Sequence, residues 1–266
     1  MNLQKMIDEY VSEGLTVALA SSRVCQDIVL KAIAGSVLSD NVTIKGGVVM
    51  RSITDDIRRA TSDIDLDFIH YSLSDESIRT FVNKLNCIDG LNIEMTGRIT
   101  ELKHQDYHGK SIDIHIRDDN ETVIKSKIDI GVHNNMNIEQ EEYCFDVCMD
   151  DEGATLLKNT VEQSFVEKLR SLLKFGPNSR RYKDIYDMYY LSSIVSPDKT
   201  KEMMSVLIFD DDGMFENNMN DIIKRIDNTF SDEQYLSRVS DSRQRWLDDD
   251  IHKIADGILA FLNGLM

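Results

Sequence analysis

The sequence predicts an α+β fold, in which a mixed sheet flanked by helices is followed by an all-helical C-terminal region. Apolar residues recur at helical spacing over roughly the first forty residues. Short alternating runs bounded by Gly, Asn and Asp extend from about Val42 to Met149, and helical spacing returns after about Asp150. We therefore expect two domains, residues 1–150 with the sheet and residues 151–266 with helices alone.

The N-terminal region predicts two helices. Leu3, Met6 and Ile7 recur at helical spacing, and Val24–Ile33 continues the pattern. In the sheet-containing part, a further helix is expected at Asp75–Leu85, after the second strand. The predicted strands are Thr43–Met50, Asp63–Ile69, Leu91–Lys103, Ser111–Arg117, Ser126–Val132 and Tyr143–Met149, with a turn at Tyr107–Lys110.

The second half predicts amphipathic helices throughout. Its two prolines, Pro177 and Pro197, both fall between predicted helices, as expected for a residue that breaks the helical hydrogen-bond ladder. The predicted helices are Val161–Lys174, Arg181–Ile194, Lys199–Phe209, Asn217–Phe230, Asp232–Leu247 and Ile251–Leu265.

Composition excludes several classes of protein. The 266 residues are 41% hydrophobic and 29% charged, which is typical of globular chains and not of collagen-like, disordered or membrane-spanning ones. The 30 basic and 47 acidic residues give a net charge of −17, which disfavours nucleic-acid binding over the whole surface but allows a local basic patch. Four scattered cysteines are too few for a disulfide framework, so we expect a cytoplasmic location. No apolar run approaches the roughly 20 residues that a bilayer requires, so we expect no membrane partner.

Adjacent glycines and alternating carboxylates stand close together in the segment from Lys45 to Asp67. Gly46 and Gly47 leave backbone N–H groups open to close approach by a phosphate. In a strand, Asp63, Asp65 and Asp67 share one face, where their charges repel each other unless a cation lies between them. Carboxylates completed by substrate phosphates suit Mg²⁺, whereas the alternative is a solvated sheet face without a metal.

A further strand carboxylate is Asp129, which lies between Ile128 and Ile130. If the isoleucines face the core, Asp129 faces the other way, and an adjacent strand would bring it beside Asp63 and Asp65; the alternative is an ordinary exposed strand residue. Asp113 occupies a similar position in another predicted strand, so either residue is a candidate third carboxylate, with Asp129 preferred.

A basic segment opens the helical half. The residues from Lys168 to Lys183 include six basic side chains and no acidic one. Such a segment suits binding to a triphosphate or an RNA backbone. The alternative is a solvated helix face that balances acidic neighbours.

These pieces, taken in order, resemble the AbiEii/AbiGii nucleotidyltransferase toxins of the DNA polymerase β-like nucleotidyltransferase superfamily. The resemblance extends from about residue 45 to residue 190 and implies a nucleotidyltransferase-like sheet domain. The matching segments are Lys45-Gly46-Gly47, Arg59-Ala60-Thr61-Ser62-Asp63-Ile64-Asp65-Leu66, Lys127-Ile128-Asp129, Glu167-Lys168 and Arg181-Tyr182-Lys183-Asp184-Ile185-Tyr186-Asp187.

The resemblance also implies roles for individual residues. Val48 stands where many relatives have Thr, which puts a hydroxyl contact to the triphosphate in doubt. The implied metal ligands are Asp63, Asp65 and Asp129, and the implied catalytic residues are these three with Lys168 and Asp184. The implied nucleotide-binding residues are Lys45, Gly46, Gly47, Arg59, Ser62, Lys168 and Arg181.

The function implied is Mg²⁺-dependent transfer of a nucleoside monophosphate from a nucleoside triphosphate, with two metal ions expected when the nucleotide is bound. The acceptor would be tRNA or a protein hydroxyl, and the chain would be the toxin of a toxin–antitoxin or phage abortive-infection system with a possible cognate antitoxin. Two alternatives stay open: modification of a small molecule such as an antibiotic, and a non-catalytic nucleotide-binding module.

Overall fold

The computed structural model describes residues 1–102, 109–133 and 138–266. Lys103 and the beginning of the turn predicted at Tyr107–Lys110 lie outside these ranges. The chain forms two compact units, Met1–Asn159 and Thr160–Met266. The first contains a seven-stranded sheet with helices, and the second consists of helices and their connections in the described chain, which confirms the predicted α+β fold class.

The sheet of the first unit is mixed, with the strand order β3-β4-β5-β2-β1-β7-β6. The pairs β2–β5 and β1–β7 are parallel, and the other four neighbouring pairs are antiparallel. The strands are β1 (Val42–Lys45), β2 (Ile64–Phe68), β3 (Leu91–Glu101), β4 (Lys110–Asp118), β5 (Val123–Val132), β6 (Glu141–Phe145) and β7 (Ala154–Lys158).

The helices of the first unit begin at polar capping residues wherever the sequence offers them. The side chains of Asn2, Thr16 and Ser74 each accept a hydrogen bond from a backbone N–H of the first turn that follows. The apolar faces of these helices join the strands in one buried cluster. The helices are α1 (Leu3–Ser12), α2 (Val17–Ala34), α3 (Gly46–Thr54) and α4 (Asp75–Lys84).

The first predicted strand, Thr43–Met50, is wrong in its second half. The strand ends at Lys45, and α3 begins at Gly46, where φ is +63°. Val48, Val49 and Met50, which follow Gly47 on the helix, are fully buried. Two adjacent valines favour a strand by local propensity, but burial of an apolar helix face outweighs that preference here.

A strand that the sequence analysis did not predict lies beyond residue 150. Strand β7 pairs in parallel with β1 and antiparallel with β6, and the two compact units divide after Asn159. Within β7, Ala154, Leu156 and Lys158 are buried, in the alternation of a strand. The run is only five residues long, which is too short for periodicity alone to separate strand from helix.

The second unit differs from the prediction mainly at one helix. The helix expected at Asp232–Leu247 ends at Ser240, where Ser and Asp side chains bond locally to the backbone; Ser242 Oγ accepts from Gln244 N at 3.0 Å. A π-helical turn, Ser205–Phe209, continues α7. The helices are α5 (Val161–Phe175), α6 (Tyr182–Leu191), α7 (Pro197–Met204), α8 (Met219–Phe230), α9 (Glu233–Ser240) and α10 (Ile251–Gly264).

Among the helices of the described ranges, none is both long enough and apolar enough to cross a membrane.

Candidate functional site

Two carboxylates lie opposite each other at the centre of the sheet. Strands β2 and β5 are parallel, and their register pairs Asp65 with Asp129 and Ile64 with Ile128. Because registered residues on neighbouring strands point to the same face, both carboxylates lie on one side of the sheet. Ile64 and Ile128 are fully buried on the other side. Asp63 immediately precedes β2.

The register also separates the two candidates for the third carboxylate. Asp113 on β4 pairs with Lys127, one strand further from β2, and its side chain is exposed. Asp129 is 8% exposed, and its Oδ1 atom has no hydrogen-bond partner among the described residues. The structure therefore places Asp129, and not Asp113, directly beside Asp65.

Lys127 lies among these carboxylates. Its Nζ is 3.0 Å from Asp129 Oδ2 and 3.9 Å from Asp63 Oδ2. Partial burial lowers the pKa of Lys127, but the hydrogen bond and charge of Asp129, with the charges of Asp63 and Asp65, outweigh it and raise the pKa above its usual value. Sequence analysis gave this lysine no role, although strand alternation puts it on the face of Asp129.

The two glycines bring the N-terminus of α3 against the carboxylate of Asp65. A Cβ atom on Gly46 would lie 2.2 Å from Asp65 Oδ2, and one on Gly47 would lie 2.4 Å from Thr61 Oγ1. Gly46 also has φ of +63°, which side-chain-bearing residues rarely adopt. The first N–H groups of a helix have no partner within it, so this end of α3 offers donors suited to an anion beside Asp65.

Lys45 has a partner of its own. Its Nζ is 2.6 Å from Asp67 Oδ1, and both side chains are buried. The third carboxylate of the alternating run is therefore ion-paired within the sheet, and Lys45 holds β1 against β2 in addition to any contact with a nucleotide.

The loop before β2 is held by hydrogen bonds to its backbone. Gln26 Nε2 on α2 donates to the carbonyl oxygens of Thr61 and Asp63 at 2.9 and 3.4 Å. Ser126 Oγ donates to the Ser62 carbonyl at 3.2 Å, and Ser62 Oγ donates to Asp63 Oδ1 at 3.1 Å. Gln26 is fully buried. Sequence analysis gave it no role, although a polar side chain among the apolar residues of α2 indicates a buried hydrogen-bonding group.

Arg59 is also buried, at the end of the 3₁₀ turn Ile57–Arg59 that leads into this loop.

The structure brings seven of the residues implied by the resemblance into one region of the first unit. They are Lys45, Gly46, Gly47, Ser62, Asp63, Asp65 and Asp129.

The predicted site residues of the second unit form an ion cluster with Asp187, in which Lys168, Asp184 and Asp187 are buried and Arg181 is exposed. Lys168 Nζ is 3.0 Å from Asp184 Oδ1 and 2.8 Å from Asp187 Oδ2. Arg181 Nε is 2.6 Å from Asp184 Oδ2, and Trp246 Nε1 donates to Asp187 Oδ1 at 3.0 Å. Burial opposes ionisation of Asp184, but Lys168 and Arg181 outweigh it and lower its pKa to about 2.

A family model described as "Nucleotidyl transferase AbiEii toxin, Type IV TA system" matches residues 28–261. The chain belongs to the AbiEii nucleotidyltransferase toxin family. The match extends over most of both units and over all the site residues predicted from the sequence, so the chain is a nucleotidyltransferase of a toxin–antitoxin family, as the sequence resemblance implied. A nucleotide substrate and a cognate antitoxin are implied by that family.

The fold has a relative among solved structures. The crystal structure of an antigenic nucleotidyltransferase-like protein from Paracoccidioides brasiliensis is similar with a TM-score of 0.52 and 14% identity, over 82% of this chain and 91% of that one. At this identity the likeness concerns the fold alone. No curated protein matches the chain.

The carboxylates of Asp63, Asp65 and Asp129 are oxygen ligands of the kind that Mg²⁺ prefers, but in this structure they do not stand close enough together to form a metal site. Within residues 1–102, 109–133 and 138–266, no three Asp, Glu, His or Cys side chains stand close enough to hold a metal ion. Lys127 lies between Asp63 and Asp129 instead. The unpartnered, buried Asp129 Oδ1 and the carboxylate donors fit a hard divalent cation, which would replace the ammonium as counter-charge.

Proposed function

We propose that this AbiEii family member transfers a nucleoside monophosphate from a nucleoside triphosphate to a hydroxyl of tRNA or of a protein, with Mg²⁺. The observation that supports this most strongly is the register of Asp65 and Asp129 beside the glycine N-terminus of α3. Carboxylates and free helix donors at one place suit a metal-bound triphosphate.

In the proposed reaction, the acceptor oxygen forms a bond to the α-phosphorus. The bond from that phosphorus to the bridging oxygen of the β-phosphate breaks, and pyrophosphate leaves. We assign the acceptor proton to Asp129 and the triphosphate tail to the backbone of Gly46 and Gly47. Mg²⁺, held by Asp63, Asp65 and Asp129, would supply positive charge to the attacking and leaving oxygens. The protein's own contribution is positioning of the reacting groups.

The basic residues of the second unit have a more limited place in this proposal. Lys168 and Arg181 are paired with Asp184, and Lys168 also with Asp187. We therefore assign Lys168 first to holding this cluster together, and its contact with substrate phosphates stays a prediction. Arg59 and Ser62 are proposed to shape the loop that carries Asp63.

The test is incubation of purified protein with Mg²⁺, each α-³²P-labelled nucleoside triphosphate in turn, and either total tRNA or a cell lysate. Asp65→Asn should lower labelling by about a hundredfold or more, because charge stabilisation at the reacting phosphate is lost. Asp113→Asn is the matched control, an exposed carboxylate one strand further from β2, and should stay within about twofold of the wild type.

The outcomes separate the acceptors. Label in RNA identifies tRNA as the acceptor, and label in polypeptide identifies a protein hydroxyl. Absence of label with nucleotide binding intact favours a small-molecule acceptor or a non-catalytic module. Full activity of Asp65→Asn, or loss of activity in Asp113→Asn alone, contradicts the proposed metal site.

A further inference from the structure

A bridge of buried polar side chains joins helices α2 and α3 to the loop that carries Asp63. Gln26 on α2 is fully buried, and its Oε1 accepts a hydrogen bond from Nη1 of Arg51, which lies on α3 and is 7% exposed. The Nε2 atom of the same amide donates to the carbonyl oxygens of Thr61 and Asp63, at 2.9 and 3.4 Å. One side chain of α2 therefore connects α3 to the loop backbone on both sides of Ser62.

The two ends of this bridge require one orientation of the Gln26 amide. The guanidinium of Arg51 has donors and no acceptor, and the carbonyl oxygens of Thr61 and Asp63 are acceptors alone. An amide rotated by half a turn would present its NH₂ group to the guanidinium and its oxygen to the carbonyls, and these hydrogen bonds would be lost. Because a buried polar group that loses its partners is costly, the contacts hold the amide in a single orientation.

Arg51, at the α3 end of the bridge, is itself held by a buried acid. Its Nη2 atom lies 3.6 Å from Oδ1 of Asp27, which is fully buried and directly follows Gln26 on α2. Asp27 is fixed in turn, because the backbone N–H of Cys148 donates to its Oδ2 at 3.2 Å and Arg23 Nε lies 3.2 Å from its Oδ1. Movement of the Arg51 guanidinium away from this acid would remove part of its counter-charge, so the bridge has a rigid anchor.

The face of α3 that carries Arg51 also carries the glycine that packs against the loop. Gly47 and Arg51 are four residues apart, about one turn of the helix, so they lie on the same face. A Cβ atom on Gly47 would lie 2.4 Å from Oγ1 of Thr61, so helix and loop touch at this turn. The loop is therefore held to α3 at two successive turns, directly at Gly47 and through Gln26 at Arg51.

We propose that Gln26 is a positioning residue for nucleotidyl transfer, which fixes the loop of Asp63 relative to the end of α3 that takes the triphosphate. This inference rests on the proposed function, in which Asp63 binds Mg²⁺ and the N-terminus of α3 binds the phosphates. Gln26 acts through the backbone of Thr61 and Asp63 and not by contact with the nucleotide. Displacement of a reacting group by about 1 Å is enough to lower a rate about a hundredfold, so such a bridge has a large effect on catalysis.

The experiment compares Gln26→Glu with Asn86→Asp in the full chain. The carboxylate introduced at position 26 has the length of the amide and still accepts from Arg51, but when ionised it has no donor for the two loop carbonyls. Asn86→Asp is the matched control. The side chain of Asn86 also accepts from a backbone N–H and donates to a carbonyl, those of Ile93 at 2.7 and 2.8 Å, but it joins the residues after α4 to β3.

Two readouts separate positioning from general stability. The Mg²⁺ concentration for half-maximal labelling should rise at least about fivefold in Gln26→Glu and stay within about twofold of the wild type in Asn86→Asp. A merely structural role would lower the folded fraction, and with it the maximal rate, but would leave this concentration unchanged. In amide hydrogen exchange followed by mass spectrometry, peptides that contain residues 60–64 should exchange at least about tenfold faster in Gln26→Glu, while those of β7 keep the wild-type rate.

If circular dichroism shows that Gln26→Glu does not fold, Gln26→Met replaces it, with the same two results expected. The inference is overturned if the wild type labels an acceptor and the folded variant needs no more Mg²⁺, if residues 60–64 exchange at the wild-type rate, or if Asn86→Asp shifts both readouts equally. Failure of both position-26 variants to fold also overturns it, because Gln26 would then be required by the fold itself. A wild type that labels no acceptor overturns the proposed function, and this inference with it.

Discussion

The two units each contain a cluster of carboxylates and cations, and the clusters differ in how completely they are paired. In the second unit, every carboxylate oxygen of Asp184 and Asp187 has a cation or an indole N–H within 3.0 Å. In the first unit, Asp129 Oδ1 is buried without a hydrogen-bond partner among the described residues, and Lys127 is the cation shared by Asp63 and Asp129.

This difference separates a structural role from a ligand-binding one. A buried ion pair is tolerated only when nearly all its atoms are satisfied, so complete pairing indicates a cluster that holds helices together. Incomplete pairing beside a helix N-terminus leaves capacity for a cation and an anion to enter. The four predictions below test that contrast from the largest expected effect to the smallest.

Removing the central cation of the second unit should cost the most stability. Lys168→Ala removes the ammonium that lies 2.8 Å from Oδ2 of the fully buried Asp187. We expect the free energy of unfolding to fall by about 3–5 kcal/mol in urea titrations. The control Lys253→Ala removes an exposed partner of Asp249 and should cost less than about 1 kcal/mol. Equal effects of the two variants would contradict a structural role for the cluster.

Acid should weaken the same cluster through Asp184. Its pKa in the folded protein is about 2, below the value of about 3.9 expected when unfolded, so its contribution of roughly 2–3 kcal/mol is present above the unfolded pKa and is lost as the pH falls towards the folded one. Between about pH 5 and about pH 3, roughly 1 kcal/mol should disappear. Urea titrations at both pH values measure it, and an undiminished pH dependence in Asp184→Asn would assign the loss to other groups.

A methyl group at Gly46 should disturb the proposed catalytic face more than the fold. Gly46→Ala and Gly97→Ala both place a side chain at positive φ, which costs each about 1–2 kcal/mol. Only the Cβ at position 46 would collide with Asp65; nothing lies within 4 Å of one at position 97. We expect labelling by the folded Gly46→Ala protein to fall at least about tenfold, and that of Gly97→Ala to stay near wild type. Parallel losses would show that backbone strain alone is responsible.

The smallest effect is expected at Lys127. Lys127→Met removes the ammonium beside Asp63 and Asp129, which under the proposed function would compete with Mg²⁺ for these carboxylates. The Mg²⁺ concentration for half-maximal activity should fall by about two- to fivefold, the range typical of a partly exposed ion pair. Lys125→Met, an exposed lysine two residues earlier on β5, is the control. A rise in the required Mg²⁺ would mean that Lys127 binds the nucleotide instead of competing with the metal.

Much of the fold follows from periodicity along the chain. Alternation in Ile64-Asp65-Leu66 and Ile128-Asp129-Ile130 is enough to place these carboxylates on the face opposite the core. Pairing of Asp65 with Asp129 depends on strand order and register, which the sequence pattern does not determine without the resemblance.

Other features could not be predicted from local sequence patterns. At the start of α3, the space around Gly46 is closed by Asp65, 19 residues later in the sequence, so the need for glycine there is visible only in the folded chain. Strand β7 has too few residues for a clear period. The partners of Gln26 and Lys168 lie far along the chain, so burial of these polar residues becomes explicable only when the tertiary structure is known.

The parallel pairing of β2 with β5 also determines when, during synthesis, the acidic face can form. Asp65 and Asp129 are separated by 64 residues, so a nascent chain that has exposed β2 still lacks the strand beside it. At roughly 5–20 residues per second, ribosomes need about 3–13 s to add that interval. A chain that is still being translated therefore holds Asp65 and Asp129 apart, and the two carboxylates come together only after most of the sheet has left the ribosome.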